Sequence, residues 1–186
     1  MKNPFLIGKS VYLRAPEPGD ETVIALSENH PEPRENLFYA LPTGTVEQKE
    51  RLMREQADPN TQIMVICLRH NDQIIGKTGF YRIDWVGRMA VYYIAIAESS
   101  NWQKGYGSEV TGLMIDYAFN TLNLNRIQLH VFKENAAAVK VYKNSGFQIE
   151  GTLREAMYHK GRYGDFYVMG LLRRDYSKRQ SSKPES

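Results

Sequence analysis

The segment from Met89 to Gly146 constrains the fold more than any other, because its hydrophobic period changes twice along its length. Met89 to Ile96 is an apolar run typical of a strand. A helical stripe follows at Val110, Leu113, Met114, Tyr117 and Ala118. Ile127, Leu129 and Val131 then alternate with polar residues, as on a strand with two distinct faces. This order predicts two parallel strands joined by a right-handed crossover.

Further elements are predicted on both sides of this unit. A helix begins at Asp20, ends before Pro31 and carries Val23, Ile24 and Leu26 as its apolar residues. Thr45 and Gln48 match a capping box at the start of a helix that runs to about residue 57. Strands are predicted at 11–14, at 63–68 and 73–75 as a hairpin, and at about 147–158 and 162–172. The predicted fold is α/β (α+β mixed), with a central mixed sheet flanked by helices.

The chain length and charge favour one domain followed by a basic tail. The 186 residues suffice for one buried core, so residues 1–172 are predicted to form a single domain. The last fourteen, 173–186, contain five Lys or Arg residues against two acids and few apolar side chains. Such a composition is typical of a disordered tail. The rest of the chain is formally neutral and shows no cationic cluster that would indicate nucleic-acid binding.

Composition also excludes several other classes. The single cysteine, Cys67, excludes an internal disulfide and any multi-cysteine zinc site. The four histidines are scattered without metal-ligand spacing, so each is interpreted as an ordinary polar residue and no metal is expected. No apolar run approaches the roughly 20 residues of a membrane span, and the chain begins without a long apolar secretory segment. We therefore expect a cytoplasmic protein with no membrane partner, and the sequence allows a homodimer.

A glycine-rich loop, Trp102 to Ser108, lies between the strand and the helix of the central unit. Glycines there let the backbone approach a ligand closely, and the start of a helix presents unpaired N–H groups that suit a phosphate. A tight turn without a ligand explains the loop equally well. A dinucleotide fingerprint from Gly105 would need Gly or Ala where Val110 stands, and no complete Walker motif occurs.

A second motif follows the second strand. Asn135 is placed to cap a helix and Gly146 to end it, which would be a purely structural use of both residues. Tyr142 lies on the inward side of that helix with Ala138 and Val139. Taken alone, it is better interpreted as a core tyrosine than as a catalytic residue.

In combination these motifs resemble the GNAT acetyltransferases. The pattern consists of a strand, a glycine-rich helix start, a second strand and then Asn-x₆-Tyr-x₃-Gly-Phe, here Asn135 to Phe147. Two stretches resemble one branch of this family, which contains ribosomal-protein N-terminal acetylases and spermidine acetyltransferases. They are the sequence of the glycine-rich loop and Gly-Arg-Tyr at 161–163. The resemblance implies a GNAT fold with splayed parallel strands. It also implies transfer of the acetyl group of acetyl-CoA to a primary amine by direct attack, the amine belonging to a small molecule, a polyamine or a protein N-terminus.

The resemblance also implies roles for particular residues. The pyrophosphate of coenzyme A would lie on the amides of the loop, and the pantetheine arm would pair with the end of the preceding strand near Asn135. Tyr142 would be the general acid that protonates the departing thiolate. The implied cofactor-binding residues are Ile94, Ala95, Ile96, Gln103, Lys104, Gly105, Tyr106, Gly107, Ser108, Asn135, Ala138 and Tyr142.

The acceptor side and the general base are less defined. Many relatives carry a glutamate in the strand before the turn, but the matching stretch here, 90–93, has no acid. Glu98 is close in sequence but is better interpreted as a surface residue, so the base stays unassigned. Candidate walls for the amine are Glu32, Glu35, Tyr39 and Trp85, because carboxylates and aromatic faces attract cations. The missing acid leaves open an alternative function, a non-catalytic acyl-CoA-binding sensor with the same fold.

Overall fold

The computed structural model describes residues 1–34, 41–159 and 161–181. Its strands are β1 (Leu6–Ile7), β2 (Val11–Arg14), β3 (Gln62–Leu68), β4 (Ile74–Asp84), β5 (Met89–Ile96), β6 (Arg126–Phe132), β7 (Gln148–His159) and β8 (Arg162–Leu172). Its helices are α1 (Asp20–Asn29), α2 (Pro31–Arg34), α3 (Thr45–Ala57), α4 (Tyr106–Asp116), α5 (Ala136–Ser145) and α6 (Arg173–Ser181).

The strands form one sheet in the order β1-β2-β3-β4-β5-β6-β8-β7. The pairs from β1 to β5 are antiparallel, and β8 lies antiparallel between β6 and β7. Only β5 and β6 are parallel among the described pairs, and α4 makes the crossover between them. The predicted mixed sheet and its parallel unit are therefore confirmed.

Helices cover the two faces of the sheet unequally. The larger apolar core lies on the face that α4 and α5 cover, and it includes Ile127, Leu129 and Val131 of β6. A smaller core lies on the other face, where Ile24 of α1 and Leu52 of α3 pack on β2 and β3. Only the first half of that face is covered by this core. Beyond β5 it carries a small separate cluster formed by Phe132, Met157 and Phe166.

Most predicted elements are present, but two details of the early helices differ. Gly44, not Thr45, is the N-cap of α3, and its carbonyl accepts the Gln48 N–H at 2.9 Å. Thr45 is already helical, so the predicted capping box is absent. In α1, Ile24 is buried as expected, whereas Val23 and Leu26 are exposed, because Ala25 and Glu28 face the sheet instead.

The C-terminal tail differs more from its prediction. Residues 173–181 form α6 rather than a disordered segment. Its Tyr176 ring lies 5.3 Å from the Phe119 ring, and its hydroxyl donates to Asp116 Oδ1 at 2.8 Å. Arg179 donates to the Asn144 carbonyl at 2.7 Å. These contacts help to hold a segment whose composition is that of a solvated tail; residues 182–186 lie outside the described residues.

Candidate active site

The parallel strands β5 and β6 separate after three paired positions. Their register runs Met89 to Arg126, Ala90 to Ile127 and Val91 to Gln128, and stops there. β5 continues to Ile96 paired with β4, while β6 continues to Phe132 paired with β8. The four β5 residues from Tyr93 to Ile96 are correspondingly only half-buried. A strand edge open in the middle of a sheet offers N–H and C=O groups to an extended ligand, as the edge of any sheet does.

The Ile96 end of this open edge is partly occupied by the protein itself. The Trp102 indole N–H donates to the Ile96 carbonyl at 3.1 Å, and the Thr78 hydroxyl donates to the Tyr93 carbonyl at 2.8 Å. The carbonyls of Tyr93 and Ile96 therefore already accept hydrogen bonds from the protein. Ile94 and Ala95, two of the three β5 residues predicted to pair with a pantetheine arm, lie between them. Trp102 fixes the start of the glycine-rich loop against the strand that the loop follows.

The loop itself has the backbone geometry of an anion-binding cradle at the start of α4. Gln103 and Gly105 both have positive φ, 59° and 85°, which turns the chain so that α4 begins at Tyr106. The first amide that bonds back along the helix is Glu109 N–H, to Gly105 O at 3.0 Å. The preceding amides, of Tyr106, Gly107 and Ser108, have no acceptor within the helix and point along its axis at the positive end of its dipole. A phosphate fits such a site.

Two further features make the cradle suitable for a large anion. A Cβ built on Gly107 would meet only the Ile96 Cδ1 atom at 3.7 Å, and one built on Gly105 would meet nothing within 4 Å, so the space above both residues is open. Glu109 lies in the first turn of α4, but its carboxylate accepts the backbone N–H of Ser10 at 2.8 Å. Its negative charge is thereby held towards the start of β2 and away from the cradle. Lys104 is exposed beside it.

Tyr142 lies beside the open edge on the face that α4 and α5 cover. Asn135 caps α5 by accepting the Ala138 N–H at 3.1 Å, and Gly146 ends the helix with φ 104°. Both predictions about α5 are therefore confirmed. Tyr142 is 7% exposed, with its ring edge-on to the rings of Tyr92, at 6.4 Å, and Phe147, at 5.9 Å. Ala138 packs against the same core.

The surroundings of Tyr142 keep its phenol protonated. Burial raises its pKa well above the ordinary value of about 10, and the neighbouring Tyr92 adds to the increase. Within the described part of the chain, no protein group is hydrogen-bonded to the Tyr142 hydroxyl. A buried, protonated hydroxyl whose donor is not used by the protein is available to give a proton to an anion that develops beside it.

Tyr92 is a structural residue of the site that sequence reasoning missed. It is the first β5 residue beyond the last pair with β6, and its hydroxyl lies 3.1 Å from the Thr111 hydroxyl. Thr111 in turn donates to the Gly107 carbonyl at 2.7 Å. Burial raises the pKa of Tyr92 to about 12. The chain of hydrogen bonds ties the first turn of α4 to the point where the strands separate; no local pattern in the sequence indicates it.

The predicted acceptor residues are not all brought together. Glu32 of α2 accepts the Ser99 N–H at 3.4 Å, which places it next to the loop that follows β5. Trp85 lies in the turn between β4 and β5, at the other end of β5, and its indole N–H donates to the Pro59 carbonyl at 3.1 Å. Glu35 and Tyr39 lie outside the described residues. Glu98 is exposed and accepts from the Ser100 hydroxyl at 3.1 Å, as expected of a surface residue.

A buried carboxylate near Glu32 is already neutralised. Glu28 of α1 is 3% exposed, and Lys77 Nζ of β4 lies 2.8 Å from its Oε1 atom. Arg51 of α3 pairs with the other carboxylate oxygen. Glu28 therefore holds α1, α3 and β4 together and adds no net negative charge with which to attract an amine. Among the described residues no cluster of three potential metal ligands occurs, and no helix is long and apolar enough to cross a membrane.

Comparison with known proteins identifies this arrangement. Residues 10–148 match the family model described as acetyltransferase (GNAT) domain. The chain is 30% identical to a spermidine N(1)-acetyltransferase of Vibrio cholerae over 90% of its own length and 95% of the relative's. It is also 40% identical to an uncharacterized N-acetyltransferase of Bacillus licheniformis, over 60% of its own length and 62% of the relative's.

Solved structures give the same result. The crystal structure of spermidine N-acetyltransferase from Vibrio cholerae in complex with CoA and spermine superposes with a TM-score of 0.83 at 30% identity, covering 90% of this chain and 98% of that one. A sheet whose parallel strands separate beside an anion cradle thus defines an acyl-CoA-dependent acyltransferase. The chain belongs to the GNAT acetyltransferase family and is an acetyl-CoA-dependent N-acetyltransferase.

Proposed function

We propose that this protein acetylates a primary amine of a small molecule, with a polyamine as the first candidate, by direct attack of the amine on acetyl-CoA. The observation that carries the mechanism is the separation of β5 from β6 between the α4 cradle and the buried Tyr142. Coenzyme A would lie with its pyrophosphate on the amides of residues 104–108 and its pantetheine arm along Ile94 to Ile96, near Asn135 and Ala138.

Each protein group has one task in this proposal. The loop and strand amides orient the thioester and hold it beside Tyr142. As the amine nitrogen bonds to the carbonyl carbon, negative charge develops first on oxygen and then on sulfur. Tyr142 donates its proton to the sulfur as the C–S bond breaks. No covalent intermediate with the protein is required, and Cys67 is fully buried on β3, where burial raises its thiol pKa.

A small amine is favoured as the acceptor because two relatives of known activity act on small molecules. Besides the spermidine enzyme, the chain is 39% identical to an L-amino acid N-acetyltransferase of Escherichia coli over 62% of its length. Glu32, beside the loop that follows β5, would attract a cationic amine. The two relatives differ in whether their substrate carries a carboxylate, so an acceptor panel decides between them.

The test measures release of free thiol from acetyl-CoA in the presence of spermidine, spermine, L-amino acids, aminoglycosides or N-terminal peptides. We expect at least one small amine to exceed every peptide in kcat/KM. Activity confined to peptides would instead assign a protein N-terminus as the acceptor. Binding of acetyl-CoA without acceptor-dependent thiol release would favour the non-catalytic sensor.

We also propose that the protein is cytoplasmic, where acetyl-CoA is available, and that it assembles with copies of itself. The support for assembly is a structural neighbour, a dodecameric spermidine N-acetyltransferase of Vibrio cholerae, which superposes with a TM-score of 0.80 over 94% of this chain. Light scattering coupled to size exclusion should give a mass that is a multiple of the 21.4 kDa chain. A monomeric mass at micromolar concentration would contradict the proposal.

A further inference from the structure

An amine that attacks a thioester must first lose a proton, and the β5 stretch from Ala90 to Tyr93 contains no acid that could accept it. The sheet offers a titratable group on the neighbouring strand. His130 lies on β6, two residues beyond Gln128, which is the last β6 residue paired with β5. Its backbone is therefore at the place where the two strands separate, and its partner on the other side is Val168 of β8.

His130 and Tyr142 lie on opposite faces of the sheet. Ile127, Leu129 and Val131 point into the core that contains Tyr142, so the alternate β6 residues, including Gln128 and His130, point to the other face. That face is left uncovered by α1 and α3 beyond β5, and His130 is half-exposed there. On β5, Val91 is paired with Gln128, and Tyr93 is the next residue on the same face.

A hydrogen-bonded chain orients the His130 ring. Arg126 donates to both oxygens of Glu150, and it also donates to Gln128 Oε1 at 3.2 Å. Because this oxygen is taken, the Gln128 amide presents its N–H₂ group to His130, with 3.2 Å between the two Nε2 atoms. When the Gln128 amide donates to His130 Nε2, this ring nitrogen must accept with a lone pair, so the imidazole is neutral.

Burial and the charges around His130 also favour its neutral form. Burial and the positive charge of Arg82, on β4, lower the His130 pKa below its ordinary value of about 6.5. Arg126 is a second cation on the same face, although Glu150 pairs with it. Tyr81 and Tyr93 lie on that face with their rings 6.1 Å apart, and burial raises the pKa of Tyr81. The imidazole is thus neutral, with a lone pair, at the pH where an amine substrate is an ammonium ion.

We propose that His130 is the general base of the acetyl transfer, accepting a proton from the ammonium group at Nε2. The ammonium N–H replaces the Gln128 N–H as the donor to this atom, and the proton then passes to water. The neutral amine attacks the thioester carbon, a C–N bond forms and the C–S bond breaks. His130, free again, accepts the second proton from the nitrogen, and Tyr142 recovers from water the proton that it gave to sulfur, so the products are the amide, free coenzyme A thiol and one released proton.

The positions of His130 and Tyr142 on opposite faces of the sheet suit acetyl transfer by direct attack. A nucleophile approaches the thioester carbon from one side, and its proton is removed there. The sulfur is protonated from the side of Tyr142. Gln128 and Arg126 act as positioning residues, because they hold the imidazole neutral without contacting the reacting atoms.

The test follows kcat against pH at saturating acetyl-CoA and saturating concentration of the best amine, so that the groups of the complex are observed. We expect the wild-type rate to fall on acidification with a midpoint below about 6.5, the ordinary histidine pKa. His130→Gln should lower kcat at pH 7.5 by about 10²-fold, the usual size of general base catalysis, and remove this limb. His70→Gln, in the exposed turn after β3, is the matched control and should behave as wild type.

A second variant distinguishes a base from a structural histidine. Gln128→Glu replaces the donor to Nε2 with a carboxylate, which stabilises the imidazolium and raises its pKa. The acid limb should therefore move up by about one pH unit, so the rate falls at pH 6.5 and is retained at pH 9. A merely structural role for His130 predicts no such movement.

The outcomes separate this proposal from the one on which it rests. If wild-type protein shows no amine-dependent thiol release, both the proposed function and the assignment of His130 are overturned. If the wild type is active and His130→Gln keeps its rate and its acid limb, only the base is wrong. An acid limb that Gln128→Glu does not move would also overturn the assignment. The acetyl-CoA-induced rise in melting temperature, measured on each variant, verifies that it is folded and binds the donor.

Discussion

At the scale of single residues, Tyr142 is held in one orientation by two aromatic neighbours, and its phenol proton is the group on which the proposed chemistry depends. Tyr142→Phe keeps the ring contacts with Tyr92 and Phe147, so the fold and the affinity for acetyl-CoA should be retained. General acid catalysis contributes about 10²–10⁴-fold. We therefore expect kcat to fall by at least about tenfold in the thiol-release assay, with an unchanged Kd for coenzyme A by calorimetry.

A better leaving group sharpens this prediction. A donor whose thiol has a lower pKa needs less protonation, so it should restore part of the rate lost in Tyr142→Phe. A variant that turns over at the wild-type rate with acetyl-CoA would make Tyr142 a core residue only.

The sequence predicted residues of this site unequally, for a physical reason. Asn135 and Gly146 act on their own helix, through a cap and a left-handed φ, and such local uses are readable from residue type. The structural role of Tyr92 and the role proposed for His130 depend on tertiary placement. Neither residue can be recognised as part of the site until it is known that β5 and β6 separate after Val91 and Gln128. The alternation along β6 showed that His130 lies on the polar face, but not what that face adjoins.

At the scale of elements, the start of α4 is proposed to hold the pyrophosphate, and Gly107 offers a matched pair of variants. A Cβ at this position meets only a methyl group at 3.7 Å, so Gly107→Ala should fold, and it adds a single uncharged methyl group to the space proposed for the phosphates. Gly107→Glu places a carboxylate where the phosphates would lie. Acetyl-CoA should raise the melting temperature of the wild type and Gly107→Ala, because ligand binds only the folded chain, and should not raise that of Gly107→Glu.

This comparison isolates charge and bulk from the effect of replacing glycine. An undiminished rise in a folded Gly107→Glu variant would place the cofactor elsewhere. Gly105 is unsuitable for the same experiment, since its φ of 85° strains any L-residue whether or not a ligand binds.

The N-terminus of α5 gives a prediction about stability. Asn135→Ala removes the side chain that accepts the Ala138 N–H, and loss of an N-cap costs about 1 kcal/mol. Asn135→Asp retains an acceptor and the cap. We expect the free energy of unfolding in urea to fall by about 1 kcal/mol for Asn135→Ala and to change little for Asn135→Asp. Equal losses in both would show that the amide nitrogen of Asn135, and not its cap, contributes the stability.

At the scale of the whole molecule, the sheet was largely predictable because strand and helix periods differ and turn residues separate them. The order of strands was predictable only where the chain connection dictates it, as for β5 and β6. The insertion of β8 between β6 and β7 is set by contacts distant in sequence. Residues 173–181 are helical where composition predicts disorder, for a related reason. Their composition is polar, and the contacts of Tyr176 with Phe119 and Asp116 that hold α6 are not visible in the local pattern.

Removal of the tail tests whether α6 is part of the folded unit. A chain ending at Leu172 loses all contacts of α6, among which the Tyr176 ring against Phe119 and its hydrogen bond to Asp116 are together worth about 1–2 kcal/mol. For a chain of this size each kcal/mol lowers the melting temperature by roughly 2–4 °C. We therefore expect a decrease of several degrees by calorimetry.

A chain ending at Ser181 keeps the whole of α6 and is the control, which should melt as the full chain does. Tyr176→Phe should fall between the two, since it retains the ring contact and loses the bond to Asp116. A chain ending at Leu172 that melts with the full-length protein would show that α6 contributes nothing to stability, in agreement with the disorder that its composition predicts.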